Sequence, residues 1–384
     1  NQLLEYAVKA RASDIHIEPE ETQTRVRYRV DGILQEKILL PKGVHDALVS
    51  RIKILAVLKI DEKRLPQDGR FTFTYGPHEV DLRISIIPTV FGEKVVMRLL
   101  PKSTAAPSLI ELGLRGVSLK AFEGQLLRTH GIILVCGPTG SGKTTTLYSI
   151  LTKISTTKVN VVTIEDPVEY QITGVNQVQV NPGVGLNFAS ALRSFLRQDP
   201  NIIMVGEVRD SETAELAIQA ALTGHQVFST VHTNSASGAA PRLLDMGVEP
   251  FLLTSALNAA VGQRVVRKIC PHCKIEFNAS PEIIDGIKQV LGKILPTSQA
   301  STLKLYKGQG CNFCNHTGYL GRVGIFEVLV MTESLNKLIL EHTASGLIEE
   351  AAVANGMITM KQDGYLKVLE GVTTLEEVLR VAQD

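Results

Sequence analysis

Leu3, Leu4, Ala7, Val8 and Ala12 recur every three to four positions, the spacing of one helix face, so residues 2–12 read as an amphipathic helix. From Asp14 the period drops to two. Ile15 and Ile17 alternate with His16 and Glu18, and Val26, Tyr28 and Val30 alternate with Arg25, Arg27 and Arg29, up to a hairpin turn at Asp31-Gly32. One sheet face is therefore apolar and the other carries three arginines. A second helix is expected near 44–58, then a turn at Pro66-Gln67-Asp68-Gly69 and strands around 71–75, 80–87 and 94–100. Together these make a small α/β domain over residues 1–100, and 101–107, rich in small residues, reads as a linker.

Beyond the linker, apolar runs and helical periods alternate. Strands are expected at 132–136, 159–164, 202–205 and 226–231, with helices at 144–151, 188–196 and 212–222 between them. Alternation of this kind implies a mostly parallel sheet covered by helices, with ligands at the carboxyl ends of the strands. Residues 332–384 return to helical spacing through Leu335, Leu338, Ile339, Leu366, Leu369, Leu375, Val378 and Leu379 and carry no chemistry of their own.

Composition narrows the class. The 384 residues exceed one average core, and 44% hydrophobic with 21% charged residues is a globular balance. The formal net charge of +1 and 5% aromatic residues disfavour a bulk nucleic-acid binder, which wants basic grooves with stacking rings. No stretch approaches roughly 18 uninterrupted apolar residues, and the N-terminus is not a basic-then-apolar signal. The chain reads as neither secreted by a visible signal nor membrane-spanning. Asn at position 1 and a helical pattern that starts almost at once suggest a fragment lacking upstream sequence.

The chemistry centres on GPTGSGKT after the first strand of the second domain. Gly137, Gly142, Lys143 and Thr144 fit G-x-x-x-x-G-K-[ST] without mismatch, in a strand-loop-helix context. Backbone N–H groups of Gly137, Pro138, Thr139, Gly140, Ser141, Gly142 and Thr145, proline excepted, would cradle phosphate with help from the helix N-terminus. Lys143 would reach the β and γ phosphates, and the Thr144 hydroxyl would ligate Mg²⁺. Two further strands end in carboxylates. Residues 159–164 run into Glu165-Asp166-Pro167-Val168-Glu169, able to hold Mg²⁺ through water or orient an attacking water. Residues 202–205 run into Gly206-Glu207-Val208-Arg209, where glycine stands at the usual Asp position and Glu207 becomes the candidate for polarising water. The fourth strand delivers His232. His225 and His232 are seven apart and fall on opposite faces, so one of them is expected to face nucleotide, and His232 at the carboxyl end is preferred.

Of the five cysteines, Cys270 and Cys273 form one C-x-x-C pair and Cys311 and Cys314 another. Four thiolates in two tight pairs suit structural zinc with no open position, in a reducing compartment. Residues 281–295 between the pairs read as a helical excursion. His272 and His316 are rival ligands, and Cys136 on the P-loop strand reads as buried filler.

Read together, GPTGSGKT, TIEDPVEY, IIMVGEVRD and GHQVFSTVHTN resemble the Walker A, Asp box, atypical Walker B and His box of type II secretion and type IV pilus assembly ATPases, motors of the GspE and PilB kind. ASDIHIEP, VRYRVDG, RLPQDGRF, VDLRIS and GEKVVMRLL resemble the second N-terminal domain of those motors. The resemblance implies an α/β chain: a PAS-like domain over 1–100, a RecA-like ATPase core over 108–268, a zinc-binding tetracysteine module over 269–320 and a helical subdomain over 321–384. It implies Glu169 as the Asp-box carboxylate, Glu207 as general base and His232 as sensor or phosphate contact. Arg83 and Arg98 would be arginines closing over nucleotide from the N-terminal domain, with Arg193, Arg197 and Arg209 nearer the site. It further implies ATP, Mg²⁺ and Zn²⁺ as cofactors and a cytoplasmic homohexamer peripheral to the inner membrane. A platform protein and a cytoplasmic adaptor would be its partners, without nucleic acid. The tetracysteine insert points to an assembly or secretion motor rather than a retraction motor. The family's further N-terminal domain is missing from this sequence. A nucleic-acid translocase on the same core and a nucleotide-switched scaffold without turnover stand as alternatives.

Overall fold

The computed structural model describes residues 2–76, 78–101, 106–296 and 303–382. The chain divides into two compact units, 1–104 and 105–384. The expected linker at 101–107 falls largely on 102–105, outside the described residues.

The first unit holds helices α1 (Gln2–Lys9) and α2 (His45–Leu55) and strands β1 (Ala12–Pro19), β2 (Gln23–Val30), β3 (Ile33–Pro41), β4 (Gln67–Tyr75), β5 (His78–Thr89) and β6 (Gly92–Pro101). The strands form one antiparallel sheet in the order β3-β2-β1-β6-β5-β4. The period of two decides its two faces. Ile15, Ile17, Val26, Tyr28, Leu82, Ile84, Ile86, Val95 and Met97 are buried together with Leu4, Ala7, Val49 and Ile52. The opposite face is a charge lattice: Arg27 meets Glu18 at 2.8 Å, Arg25 meets Glu36 at 3.0 Å, and Arg29 and Arg98 meet Asp14 at 3.4 and 3.1 Å.

The second unit adds, in order, α3 (Leu109–Leu112), α4 (Gly116–Leu126), β7 (Gly131–Cys136), α5 (Lys143–Ile154), β8 (Val161–Glu165), β9 (Asn176–Gln179), α6 (Phe188–Phe195), β10 (Ile202–Val205), α7 (Ser211–Leu222), β11 (Gln226–Val231), α8 (Ala239–Asp245) and α9 (Pro250–Ala256). Then come β12 (Leu257–Ile269), β13 (Lys274–Phe277), α10 (Pro281–Leu291), β14 (Leu305–Gly308), β15 (Tyr319–Val330), α11 (Glu333–Leu340), α12 (Ser345–Ala354), α13 (Met360–Leu369) and α14 (Leu375–Val381). The large sheet runs β15-β12-β7-β11-β10-β8-β9, parallel throughout except for β15 against β12. Every residue of β7, β8, β10 and β11 is buried, as a sheet covered on both faces demands. Ile132, Leu134, Ile203 and Val227 face one core, and Ile133, Val135, Met204 and Phe228 face the other.

Two long strands depart from the expected pattern. Residues 257–269 and 319–330 pair antiparallel over ten registered positions and extend the parallel sheet beside β7. The domain boundary expected at 321 therefore falls inside a core strand, and the helices begin at Glu333, where the helical spacing expected from 332 sets in. Gly321 and Gly324 interrupt the apolar run there, while Phe326, Val328 and Leu329 bury into the two sheet cores and Ile325 into a third cluster with Met360 and Tyr365. No helix among the described residues is long and apolar enough to cross a membrane.

Candidate functional site

The P-loop follows β7 directly, with Gly137 and Ser141 buried and Pro138, Thr139 and Gly140 exposed, and α5 begins at Lys143, one residue earlier than its apolar spacing predicts. Gly142 caps it with φ 88°, and the first intrahelical bond runs from Thr146 N to Gly142 O at 3.0 Å. The N–H groups of the first turn, including Thr144 and Thr145, have no intrahelical acceptor and are the donors a phosphate would take. The Lys143 ammonium donates to the carbonyls of Gly137 at 2.8 Å and Pro138 at 3.1 Å. Burial pulls its pKa down, opposed by the Glu207 carboxylate.

A residue that spacing alone did not reveal fixes this loop. Gln263 on β12, fully buried, donates from Nε2 to Ser141 O at 2.7 Å. Gly137 makes the close packing possible: a Cβ there would lie 2.4 Å from Ser141 Oγ and 2.7 Å from Gln263 O. The next residue, Arg264, donates from Nη2 to Asn234 Oδ1 at 3.2 Å, just beyond His232. The only sequence signal was polarity: Gln-Arg interrupts an otherwise apolar stretch from Ala259 to Val266.

The carboxylates separate into two kinds. Glu165 is buried and fully engaged, accepting from Thr163 Oγ1 at 2.7 Å, Gln177 Nε2 at 3.1 Å and the Tyr148 hydroxyl. Burial raises the Tyr148 pKa and the Glu165 charge raises it further. Tyr148 also accepts from Glu169 N at 3.1 Å, so Glu169 is tethered through its backbone to the P-loop helix. The Asp166-Pro167 peptide between them is cis.

Glu207 is the second kind. Its side chain is 12% exposed, with Arg209 Nη2 at 2.6 Å and His232 Nε2 at 3.5 Å. Gly206, at the Asp position, is held between strands: its N–H donates to Ile164 O at 2.8 Å, and its carbonyl accepts from Thr230 Oγ1 at 2.8 Å. The structure thus brings Glu207, Arg209 and His232 to one point beyond the strand ends, and Glu207 acts electrostatically on Lys143. His225 lies apart, with Nδ1 2.9 Å from Ala220 O at the end of α7. Cys136 is wholly buried, and burial pushes its thiol up to about 12, in keeping with core filler.

The arginines are spread differently. Arg193 on α6 pairs with Glu212 on α7, and Arg197 donates to Arg193 O at 2.8 Å. Arg83 and Arg98 belong to the first unit, where they sit directly opposite each other on β5 and β6.

Cys270, Cys273, Cys311 and Cys314 converge, with all four Sγ atoms within 4.8 Å of one another. Sγ separations are 3.8 Å for 270–311, 3.9 Å for 273–314 and 3.7 Å for 311–314. Tetrahedral zinc with Zn–S near 2.3 Å requires S···S of about 3.8 Å, so the donor set fits that ion. Backbone N–H groups of Gly310, Cys311 and Gly318 point at the sulfurs from 3.2 to 3.3 Å, as thiolates require. The two histidines stay outside: His272 stacks on Phe313 at 4.1 Å, and the cluster comprises the four cysteines alone among the described residues. The excursion between the pairs runs through β13, α10 and β14, with β13 and β14 pairing antiparallel to close it.

Comparison with known proteins places this geometry. A family model described as "Type II/IV secretion system protein" matches residues 1–380. The chain is 50% identical over 378 residues to the type IV pilus assembly ATPase PilB of Thermus thermophilus, covering 98% of this chain and 42% of that protein. It is 50% identical over 384 residues to type II secretion system protein E of Xanthomonas campestris pv. campestris, covering 100% of this chain and 67% of that protein. The chain thus spans between two fifths and two thirds of the length of these relatives. Among solved structures, the pilus retraction motor PilT with bound ADP superposes with a TM-score of 0.64 at 28% identity, covering 100% of this chain and 96% of that one. The ATPase DotB of Legionella pneumophila gives 0.71 at 22% identity, covering 99% and 94%, a likeness of fold. Matched by the family model across residues 1–380 and half identical to relatives along its whole length, the chain belongs to the type II/IV secretion system protein family.

Proposed function

We propose that this chain is the ATP-hydrolysing part of a hexameric, cytoplasmic motor peripheral to the inner membrane, one that assembles pilin-like subunits for a type IV pilus or a type II secretion machine. The observation that carries the reading is the placement of Glu207, nearly buried between Arg209 and His232 and electrostatically linked to Lys143 at the mouth of the P-loop. Phosphate would lie against the N–H groups of the loop and the first turn of α5, with Lys143 leaving its carbonyl partners to meet the β and γ oxygens. The Thr144 hydroxyl would hold Mg²⁺, which would supply charge neutralisation to the phosphates.

Glu207 takes the proton of the attacking water as its oxygen bonds to the γ phosphorus. The bond from that phosphorus to the β–γ bridging oxygen breaks, and ADP leaves with the electron pair. His232 and Arg209 orient the carboxylate, and Glu169 borders the site. Arg193 and Arg197 supply cationic partners to the phosphates, and hydrolysis drives the motor's conformational change. Zinc in the four-cysteine cluster is structural. A platform protein and an adaptor of the host machine are the partners.

Steady-state ATP hydrolysis by the wild-type chain and Lys143→Ala tests this reading. A low basal rate that falls at least about 100-fold in the variant is expected, since the loop lysine is part of the transition-state clamp. Equal rates in the two proteins would refute it.

A further inference from the structure

A carboxylate that the hydrolysis scheme does not use is buried behind the His232 loop. Glu327, three residues before the end of β15, is 4% exposed. Its Oε1 accepts from Ala236 N at 2.6 Å, and its Oε2 accepts from Met360 N at 3.1 Å. Met360 opens α13, so the second bond satisfies a free N–H at a helix N-terminus, where negative charge is favoured. Directly across the ladder stands Gly262. A Cβ at that position would lie 2.6 Å from Glu327 Oε1 and 3.0 Å from Ala236 N, so only glycine leaves room for the carboxylate to reach the loop. Two residues on, Arg264 holds Asn234, and Ser237 Oγ lies 3.4 Å from Glu349 Oε2 on α12. Segment 234–237, two residues beyond His232, is thus pinned at three points to β12, β15 and α12. Burying a carboxylate is costly unless its bonds are well made, and burial pushes the Glu327 pKa up against the two N–H bonds that hold it down.

We propose that Glu327 is a positioning residue of the nucleotide site, tying the loop that carries His232 to the first turn of α13. It touches no substrate; it acts by fixing where His232 stands beside Glu207. The proposal deepens the hydrolysis reading and rests on it.

The test uses the whole chain as wild type, Glu327→Gln and Gly262→Ala. Glutamine keeps the side-chain size and one acceptor oxygen but turns an NH₂ toward one of the two amides. Hydrogen–deuterium exchange of the peptides holding Ala236 and Met360 should quicken about 10-fold in both variants, with residues 137–145 unchanged. In steady-state hydrolysis kcat should fall about 10- to 100-fold while KM stays within about twofold, the split expected of misplaced catalytic groups. Adding Gly262→Ala to Glu327→Gln should cost less than about twofold more, because both act on one contact. Wild-type kcat in Glu327→Gln, or unaltered exchange at Ala236, would overturn the proposal. If the wild-type chain binds ATP without turnover, the hydrolysis reading fails by itself. The positioning role falls with it, while the exchange measurement separately decides whether the tie exists.

Discussion

At the residue scale, Val57 is the clearest strained position. It follows α2 with φ 57° and is 90% exposed, so its branched side chain earns no burial for a conformation that costs L-residues roughly 1–2 kcal/mol. The conformation persists because the Leu58 N–H donates to Lys53 O at 2.8 Å and closes the helix end. Val57→Gly should therefore stabilise the first unit by about 0.5–1 kcal/mol after glycine's own entropy cost. A fall in the urea midpoint of that unit's transition would contradict the strain. Glu377 offers a second residue-scale prediction. Burial alone would raise its pKa, but Arg380 and Arg267, each with a guanidinium N 2.7 Å from it, hold it down to about 2 from an ordinary 4.5. A depressed folded pKa stabilises above the unfolded value and loses that stability as pH falls through the folded one. The advantage of wild type over Glu377→Gln, on the order of 3 kcal/mol at neutral pH, should shrink between pH 4.5 and 2. A difference independent of pH across that window would count against the ion pairs.

Single residues also mark where the sequence was readable. Lys143 and Thr144 stand out in the sequence because a phosphate cradle needs fixed residue types at fixed spacing, and the strand and helix expected on either side of the loop are present. Gln263 and Glu327 carry no such signature. Their roles exist only once β12 is laid beside β7 and β15 beside β12, which brings Gln263 to Ser141, 122 positions away, and Glu327 to Ala236, 91 positions away.

At the element scale, the strands and helices with clean periods lie within a few residues of their expected bounds; β10 and β11 fall on the expected 202–205 and 226–231. The misses share one cause. In β12, Ala259, Ala260 and Gly262 are small because β7 and β15 crowd them on either side, and the Gln-Arg pair breaks the apolar run, so neither period appears. In β15, glycines at 321 and 324 resemble loop punctuation. The cysteine module yields to sequence for the opposite reason, since a metal site is written in spacing. Purified without chelator, the chain should carry about one zinc, and Cys314→Ser should lose it. The β13–β14 excursion would then become open to proteolysis within residues 274–296 and 303–310 while ATP binding at the P-loop persists. Zinc-free protein with an equally protected excursion would remove the metal from this account.

At the scale of the whole molecule, the chain combines an antiparallel sheet unit with a P-loop unit whose sheet ends converge on Glu207. Relatives named for pilus assembly and for type II secretion match it equally at 50% identity. The account depends on water being polarised by Glu207 rather than by an aspartate at position 206. Single-turnover phosphate release by Glu207→Gln, measured beside calorimetric ATP binding with Mg²⁺, tests it most directly. Affinity within about threefold of wild type with phosphate release slowed at least about 100-fold is the expected result; release at the wild-type rate would contradict the account.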